Sequence, residues 1–512
     1  MIVAMADLRT AVHRLSALVL AGLVAACAVP RSEVAEDLEF RINSAHRVFA
    51  IGYRVVADHY IEPVSAESLA MEGLRGLGAL DPALTVNREG DTVVLSSAGV
   101  GLARHAAPEA DDSHAWAALT ARMSVSSRAV SPAVAEAGAE RLYEAVFDGA
   151  LANLDTFSRY AGAEEARRDR ARRDGYGGIG LSLKFVGGTA LVTRLVAGGP
   201  AALAGIRAGD RITHVDGAPV GELNTKAVAG RLRGKPGSKV LLVVERLGRA
   251  DPWSVRLERT HIVPDTVERR RVGDVLYIAV KGFNQDTAGN VAAALYAEIE
   301  NGNPQPAGLV LDLRGNPGGL LKQAVEVADL FLGTGRIVAT RSRHPDSLQI
   351  YDAGGRDLTE GLPLVVMVDG RSASAAEIVA AALQDQGRAI VVGTSSFGKG
   401  TVQTVVPLPN DGEITLTWSR LVPPSGYVLH GRGVRPAVCT SGMTGDEAEV
   451  IRRLVASTPA AAGLGRDAEC PAESRSAELD RGIAVRIAGD GALYARMLGR
   501  APSVAAATPH SP

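Results

Sequence analysis

Lysine and cysteine are scarce in this chain of 512 residues, and each shortage narrows the chemistry open to it. Only seven lysines accompany 48 arginines. Because arginine keeps its proton in proteins whereas lysine can lose it, few cationic side chains here can serve as a base. The three cysteines include no Cys-x-x-Cys pair and no Cys/His cluster, so we expect no zinc site and no cofactor. The formal net charge of −2 lacks the basic excess of a nucleic-acid-binding protein, so we expect no nucleic-acid partner.

The first 27 residues have the pattern of an export signal. Two arginines and a histidine precede an apolar run over residues 15–26, which is shorter than the roughly 18–20 residues needed to span a bilayer. The run ends in Val-Ala-Ala-Cys, which resembles a bacterial lipobox, and the resemblance implies that Cys27 becomes the lipidated first residue of the mature protein. An ordinary signal peptide with a chance cysteine is the alternative. As a lipoprotein the chain would lie on the periplasmic side of a bacterial membrane, and by resemblance to lipoprotein sorting rules Ala28 favours the outer membrane over the inner.

Two cysteines, Cys439 and Cys470, remain after the signal segment. In an oxidising compartment they could form a disulfide that closes a loop of about 30 residues and stabilises the fold by roughly 3 kcal/mol. The sequence leaves open whether the two side chains meet.

Hydrophobic periodicity divides the rest of the chain into four sections. Residues 35–174 are alanine-rich and helical in pattern, with a short strand in an insertion. Residues 175–262 alternate short apolar runs with glycine turns, which is typical of a small β-rich module. Residues 263–440 alternate strands with helices, which predicts a layered α/β domain, and residues 441–512 form a helical extension with a loose tail. We therefore expect a multidomain α/β protein. The predicted helices include 46–59, 133–154, 224–233, 287–300, 320–331, 374–383, 446–456 and 479–498, and the predicted strands include 92–95, 275–280, 309–313, 364–368, 389–392 and 401–406.

The β-rich module contains a long motif from Gly199 to Gly217 that resembles the signature of bacterial PDZ domains. The resemblance implies a carboxylate-binding loop, opposite a short helix over residues 224–233. That loop comprises Gly178, Ile179, Gly180 and Leu181. Successive N–H groups at a glycine-rich turn can hold an anion, and the strand that follows offers its edge to an extended peptide. A PDZ fold used only for packing is the alternative.

Three segments of the α/β section contain candidate catalytic residues. In residues 311–319 a strand runs into a glycine-rich turn, whose exposed N–H groups suit an oxyanion site. Residues 372–377 follow a buried-type strand and open a helix, so a serine there lies where the helix dipole favours a developing negative charge. Residues 397–403 follow another strand and hold a lysine between two glycines. The chain has no Gly-x-Ser-x-Gly elbow, which argues against an α/β-hydrolase.

A serine nucleophile needs a base, and the sequence offers a lysine and a histidine. A lysine can act as a base if desolvation favours its neutral form, and Lys399 lies in a confined segment of the right kind. His430, near the glycine-rich end of the domain, is the rival candidate, and a plain turn residue is the alternative reading of it.

In this order, the three segments resemble those of the carboxyl-terminal processing peptidases, the tail-specific serine proteases of the S41 type. The resemblance covers roughly residues 140–440, and it implies a crotonase-like protease core. It implies that Ser374 is the nucleophile, Lys399 the general base and Gln403 the residue that orients the lysine. The interval of 25 residues between the serine and the lysine matches the family's spacing.

The resemblance also implies an oxyanion hole, an activity and a set of partners. The oxyanion hole consists of the N–H of Ala375 with one from Gly318 or Gly319. The expected activity is that of a serine endopeptidase that cleaves proteins near their C-termini after the PDZ domain has bound the tail. The expected partners are these C-terminal tails, an adaptor lipoprotein, and the membrane through the lipid anchor.

Three other classes of protein stay open at this point. The first is a catalytically inactive PDZ lipoprotein scaffold that binds protein C-termini, and the second is a non-peptidase acyl hydrolase on the same core. The third is a nucleotide-binding enzyme that uses residues 393–399, which nearly match a P-loop. Gly400 stands where a P-loop has its Ser or Thr, and a strand-like pattern follows in place of a helix, which argues against the third class.

Overall fold

The computed structural model describes residues 42–300, 302, 304–443, 447–456, 470–473 and 476–499. The expected signal segment 1–27, with its candidate lipidation residue Cys27, lies outside the described residues. The chain forms two compact units: residues up to 163 together with 405–416, and residues 164–404 together with those from 417 onward. Among the described helices, none combines the length and hydropathy needed to cross a bilayer.

The first unit is a helical domain with a small sheet inserted in it. Its core is rich in aromatic side chains, with Phe49, Tyr53, Trp116 and Phe147 all buried. The helices are α1 (Ile42–His59), α2 (Ala66–Arg75), α3 (Ser113–Val130), α4 (Pro132–Glu136) and α5 (Gly138–Leu151). The strands are β1 (Leu84–Glu89), β2 (Thr92–Ser97) and β3 (Val100–Ala106), in antiparallel order, and β4 (Arg159–Ala161), which pairs with residues 413–415.

Two sequence predictions for this unit were wrong in detail. The insertion was predicted to hold one short strand at 92–95, but it is a three-stranded sheet. β2 is apolar enough to be visible in the sequence, whereas most of β3 is exposed and has no alternating apolar pattern. The helix predicted over 133–154 is two helices, interrupted at Ala137.

The second unit begins with a β-rich module. Its main sheet has the order β11-β10-β8-β7-β6, so β6 is an edge strand. A separate pair of strands, β5 and β12, lies at the two chain ends of the module. The strands are β5 (Tyr176–Gly178), β6 (Leu181–Val186), β7 (Thr189–Leu195), β8 (Arg211–Val215), β9 (Ala218–Pro219), β10 (Lys239–Glu245), β11 (Trp253–Glu258) and β12 (Thr260–Ile262), and the helices are α6 (Ala163–Arg173), α7 (Pro200–Leu203) and α8 (Thr225–Leu232).

The α/β section contains a six-stranded sheet in the order β13-β14-β15-β18-β19-β22, parallel from β14 onward. Its strands are β13 (Val267–Val272), β14 (Val275–Val280), β15 (Gly308–Asp312), β18 (Leu364–Val368), β19 (Ile390–Gly393) and β22 (Val438–Cys439). A smaller sheet has the order β17-β16-β21-β20 and comprises β16 (Arg336–Arg341), β17 (Gln349–Asp352), β20 (Thr401–Pro407) and β21 (Glu413–Val422).

Helices cover both faces of the parallel sheet, which explains why its strands are continuously apolar. Along β14, Leu276 and Ile278 face a core formed with one set of helices, whereas Val275 and Tyr277 face a core formed with the other. The first set is α9 (Thr287–Ile299), α10 (Leu321–Asp329) and α11 (Ala375–Asp385), and the second is α12 (Glu447–Ala456), α13 (Ala477–Ala488) and α14 (Gly491–Leu498). The multidomain α/β fold is therefore confirmed, although the helix predicted over 479–498 is two helices that meet at residues 489–490.

A disulfide connects the parallel sheet to the C-terminal extension. Cys439, at the end of β22, is bonded to Cys470, with 5.9 Å between the Cα atoms. The short segment that follows Cys470 lies against the sheet's loops, since Thr394 donates its hydroxyl hydrogen to the carbonyl of Ala472 at 3.0 Å. The disulfide that the sequence allowed but left open is therefore present in the structure.

Candidate active site

The three candidate segments meet because of the strand order. β15, β18 and β19 are parallel neighbours in the sheet, so their carboxyl ends lie at one edge. Residues 313–319 follow β15, residues 369–374 follow β18, and residues 394–400 follow β19. Open α/β sheets bind their ligands at this edge. The fold therefore brings together the glycine-rich turn, the serine and the lysine that the sequence singled out separately.

Ser374 is the residue immediately before α11, and its backbone is strained. Its φ angle is +55°, a conformation that costs a non-glycine residue about 1–3 kcal/mol and that occurs mainly at functional sites. Two hydrogen bonds support this segment. The backbone N–H of Ser374 donates to the Glu377 carboxylate at 2.7 Å, and the hydroxyl of Ser372, two residues earlier, donates to the carbonyl of Leu313 at 2.8 Å. The side chain of Ser374 is half-buried at the helix N-terminus.

The glycine-rich turn packs directly against this serine. A Cβ at Gly318 would lie 2.9 Å from the Cβ of Ser374 and 3.1 Å from the backbone nitrogen of Ala375, so only glycine fits there. Asn316, which is fully buried, joins the two segments, because its carbonyl accepts the N–H of Ala373 at 2.9 Å and its side chain accepts the N–H of Gly318 at 2.8 Å. No motif in the sequence marks Asn316 as part of the site.

Two backbone N–H groups near Ser374, those of Ala375 and Gly319, are candidate donors to an oxyanion. The N–H of Ala375 is the first of α11 and so has no acceptor within the helix. The N–H of Gly318 already donates to the side chain of Asn316. Gly319 lies opposite Phe283 in a parallel bridge made by its two neighbours. The carbonyl of Gly318 accepts the N–H of Phe283 at 3.0 Å, and the N–H of Leu320 donates to the carbonyl of Phe283 at 2.8 Å. In such a parallel bridge the N–H of Gly319 itself points away from Phe283. Of the two glycines left open by the sequence, Gly319 is therefore the better donor.

Lys399 is held between two glycines that allow another part of the chain to pass very close. A Cβ at Gly400 would overlap the backbone nitrogen of His430 and lie 2.8 Å from its Cα. The carbonyl of Gly398 accepts the N–H of Gly431 at 2.9 Å. Lys399 is half-buried, whereas the side chain of His430 is exposed. The backbone on both sides of Lys399 is therefore closely packed, while its side chain is half-buried.

Gln403 lies two residues further along β20 than Thr401, on the same face of the strand. Its amide nitrogen donates to the hydroxyl of Thr401 at 2.9 Å and to that of Thr417 at 3.2 Å. Both threonines are buried. These two bonds fix the plane of the amide group, and with it the direction of the amide oxygen.

Glu377 is a second residue of this site that the sequence motifs did not single out. Its carboxylate is fully buried and accepts four hydrogen bonds, among them one from the backbone N–H of Ser374 and one from that of Lys399. Burial raises the pKa of the Glu377 carboxyl, and the hydrogen bonds from Ser396 and from three backbone N–H groups oppose that rise. A glutamate three residues after a helix-capping serine is a capping-box pattern, which was the available signal.

The β-rich module has a groove beside its edge strand. The groove has a volume of about 160 Å³ and lies between β6 and α8. Its lining is mostly apolar and includes Ile179, Gly180, Leu181, Phe185 and Leu232. Three of the four residues predicted to form the carboxylate-binding loop therefore line a groove, and Gly178 immediately precedes them.

Within the described residues, no group of three or more His, Cys, Asp or Glu side chains is arranged to hold a metal ion.

Comparison with known proteins identifies the family. Residues 274–439 match the peptidase family S41, and residues 191–246 match a PDZ domain. A carboxy-terminal-processing protease of Bartonella bacilliformis is 38% identical over 302 residues, which make up 58% of this chain and 69% of that protein. A probable CtpA-like serine protease of Staphylococcus aureus is 31% identical over 302 residues, which make up 58% of this chain and 60% of that protein. A solved structure of a photosystem II D1 C-terminal processing protease matches 88% of this chain and 98% of that one, with 24% identity and a TM-score of 0.41.

A serine at a strained helix N-terminus, beside a glycine-rich turn, is an arrangement suited to acyl transfer. The family models and the relative of 38% identity agree with this chemistry. The chain belongs to peptidase family S41 and is a serine-type peptidase with a PDZ domain, related to the carboxy-terminal-processing proteases. The resemblance drawn from the sequence motifs is thereby confirmed.

Proposed function

We propose that this peptidase cleaves proteins near their C-termini by means of a Ser374–Lys399 dyad. One observation carries the proposal: the backbone N–H groups of Ser374 and Lys399 donate to the same oxygen of Glu377, at 2.7 and 2.9 Å. The two residues are 25 positions apart in the sequence, yet their backbones lie within hydrogen-bonding reach of a single atom. Their side chains therefore start from adjacent points at the edge of the sheet.

The dyad acts through a lysine that is neutral in the resting site. The hydroxyl oxygen of Ser374 attacks the scissile carbonyl while Lys399 takes the hydroxyl proton. The carbonyl oxygen becomes an oxyanion, which the N–H groups of Ala375 and Gly319 stabilise. The ammonium of Lys399 then protonates the leaving amine, and the C–N bond breaks. Lys399, neutral again, takes a proton from the water that attacks the acyl-enzyme. It returns this proton to the Ser374 oxygen as the acyl–oxygen bond breaks, and the acid product leaves. The amide of Gln403, fixed by two threonine hydroxyls, orients the lysine.

The PDZ groove binds the tail of the substrate protein. An extended C-terminal segment adds to the edge of β6, its carboxylate lies at the loop over residues 178–181, and its apolar side chains enter the groove. The mostly apolar lining supports tails that end in apolar residues. Binding there raises the local concentration of the tail at the peptidase core, so it lowers KM for tailed substrates more than for short peptides.

The test is proteolysis of a tailed protein by the wild type and by three variants. Ser374→Ala and Lys399→Arg should both be inactive, since a guanidinium can hold charge but cannot act as the base. His430→Ala, the control for the rival base, should keep wild-type activity. An active Lys399→Arg variant, or an inactive but folded His430→Ala variant, would refute the dyad. A wild type that binds tails but cleaves none would favour the inactive scaffold.

We also propose that the protein is a lipoprotein on the periplasmic side of the outer membrane, anchored through Cys27. The proposal is supported by the lipobox-like sequence at residues 24–27. Metabolic labelling with a fatty-acid analogue followed by membrane fractionation tests it, with Cys27→Ser as the matched variant. We expect label on the wild type only. Equal labelling of both, or none on either, would contradict the anchor.

A further inference from the structure

The Glu377 carboxylate occupies an unusual position, because it connects the two residues of the proposed dyad through their backbones. We infer that Glu377 is a positioning residue for peptide cleavage, one that fixes the separation between Ser374 and Lys399 without touching substrate. The inference rests on the proposed dyad, and its experiment separates the two.

The hydrogen bonds of Glu377 use both carboxylate oxygens fully. Oε2 accepts the N–H of Ser374 at 2.7 Å and that of Lys399 at 2.9 Å. Oε1 accepts the hydroxyl of Ser396 at 2.5 Å and the N–H of Gly398 at 2.7 Å. A carboxylate has about four lone-pair directions, so no further acceptor capacity is left. Three of the four donors belong to the loop that carries the lysine, and the fourth belongs to the nucleophile.

A third segment joins the network through Ser396. The hydroxyl of Ser396 donates its hydrogen to Glu377, and its oxygen accepts the N–H of Val434 at 2.7 Å. Residues 430–433, just before Val434, pass against the glycines on either side of Lys399. Glu377 therefore holds the helix N-terminus directly, the lysine loop directly, and the chain that packs against that loop through one hydroxyl.

A role as a plain helix cap does not account for this arrangement. A cap at this helix needs only the bond between Glu377 and the N–H of Ser374. Within the described residues Glu377 has no ion-pair partner, and an apolar side chain at this fully buried position would avoid the cost of burying a charge. The three bonds to residues 396–399 are what the buried carboxylate adds, and one of them comes from the backbone N–H of the residue proposed as the base.

The decisive variant is Glu377→Gln, which keeps size and shape. A glutamine amide offers one oxygen and one NH₂ group. Whichever way it is oriented, the NH₂ would face at least one backbone N–H, that of Gly398 on one side or those of Ser374 and Lys399 on the other, so the segment that carries this donor must move. Because displacements near 1 Å can cost about 10²-fold in rate, we expect kcat to fall by about that factor, with KM for a short peptide changed less than about threefold. Ser396→Ala removes one donor and keeps the carboxylate, so kcat should fall by a smaller factor.

The matched control is Glu140→Gln in the first unit. Its carboxylate also accepts a hydroxyl, that of Tyr160 at 3.0 Å, and a backbone N–H, that of Ala163 at 3.0 Å. We expect it to lower thermal stability without changing kcat. All rates are divided by the concentration of folded enzyme, which is measured by circular dichroism and size-exclusion chromatography.

The outcomes separate the inference from the proposed function. If Ser374→Ala or Lys399→Arg keeps activity in the same assay, the dyad fails and the inference fails with it. If both are inactive while folded Glu377→Gln keeps a kcat within about threefold of the wild type, the dyad stands and only the positioning role is overturned. If Glu377→Gln yields no folded protein, Ser396→Ala decides: wild-type kcat overturns the role, and lower kcat at unchanged KM supports it.

Discussion

Replacing Gly400 by alanine tests whether the lysine loop must lie against residues 430–433 for catalysis. The added Cβ would overlap the backbone nitrogen of His430 and lie 2.8 Å from its Cα and 2.9 Å from its Cβ. These are backbone or near-backbone atoms that no side-chain rotation can remove. One of the two chains must therefore shift, and Lys399 is adjacent to the residue that is changed.

The expected effect is moderate on stability and large on catalysis. Overpacking of this kind typically costs about 1–3 kcal/mol of unfolding free energy. A shift of the loop by the amount needed to restore van der Waals contact is close to 1 Å, for which a loss of about 10²-fold in kcat is expected. The measurements are urea unfolding and steady-state cleavage of a peptide with one scissile bond.

Gly289→Ala is the matched control. Gly289 lies within α9, and a Cβ there would meet no atom within 4 Å. Alanine in place of an unhindered helical glycine stabilises by roughly 0.5–1 kcal/mol, so this variant should be slightly more stable and equally active. If Gly400→Ala has the same kcat as Gly289→Ala, the loop is free to move without consequence and the reasoning is wrong.

Three further predictions concern other parts of the molecule. Cys470→Ser removes the bond to Cys439, which closes a loop of 31 residues, and should lower the unfolding free energy by roughly 3–4 kcal/mol. The measurement is urea unfolding without reductant, and equal stability of variant and wild type would contradict the prediction. Ala229→Trp fills the groove of the PDZ domain, so KM for a tailed protein should rise while that for a short peptide stays unchanged, and a parallel rise in both would argue against tail binding there. Burial raises the pKa of Asp312, but hydrogen bonds and charge from Arg314 outweigh this effect and hold the pKa below its usual range. The unfolding free energy should therefore fall as the pH drops below about 4, and it should fall less steeply in Asp312→Asn, which has no carboxyl to protonate at this position.

The elements of the α/β section could be predicted closely from the sequence, because local patterns determine them. The predicted strands 275–280 and 364–368 have the observed limits, and the strand predicted at 389–392 is shifted by one residue. These strands are buried on both faces, so every position is apolar and the signal is strong. The insertion in the first unit was harder, since β3 is largely exposed and its residues carry no alternation.

The relation between distant motifs could be predicted only through family resemblance. Periodicity places a turn after β15, a serine after β18 and a lysine after β19, but it does not give the order of the strands. That order makes the three strands neighbours, and it alone turns three separate loops into one site.

Glu377 shows most clearly where reasoning from local sequence ends. Its spacing from Ser374 predicts one hydrogen bond within the first turn of α11, and that bond is present. The other three bonds depend on a loop that starts about 20 residues later and returns beside the helix only because β18 and β19 are adjacent. The same side chain is thus a local cap by sequence and, by topology, a connection between the proposed nucleophile and the proposed base. Only the second role explains why a carboxylate is retained in a site where burial disfavours its charge.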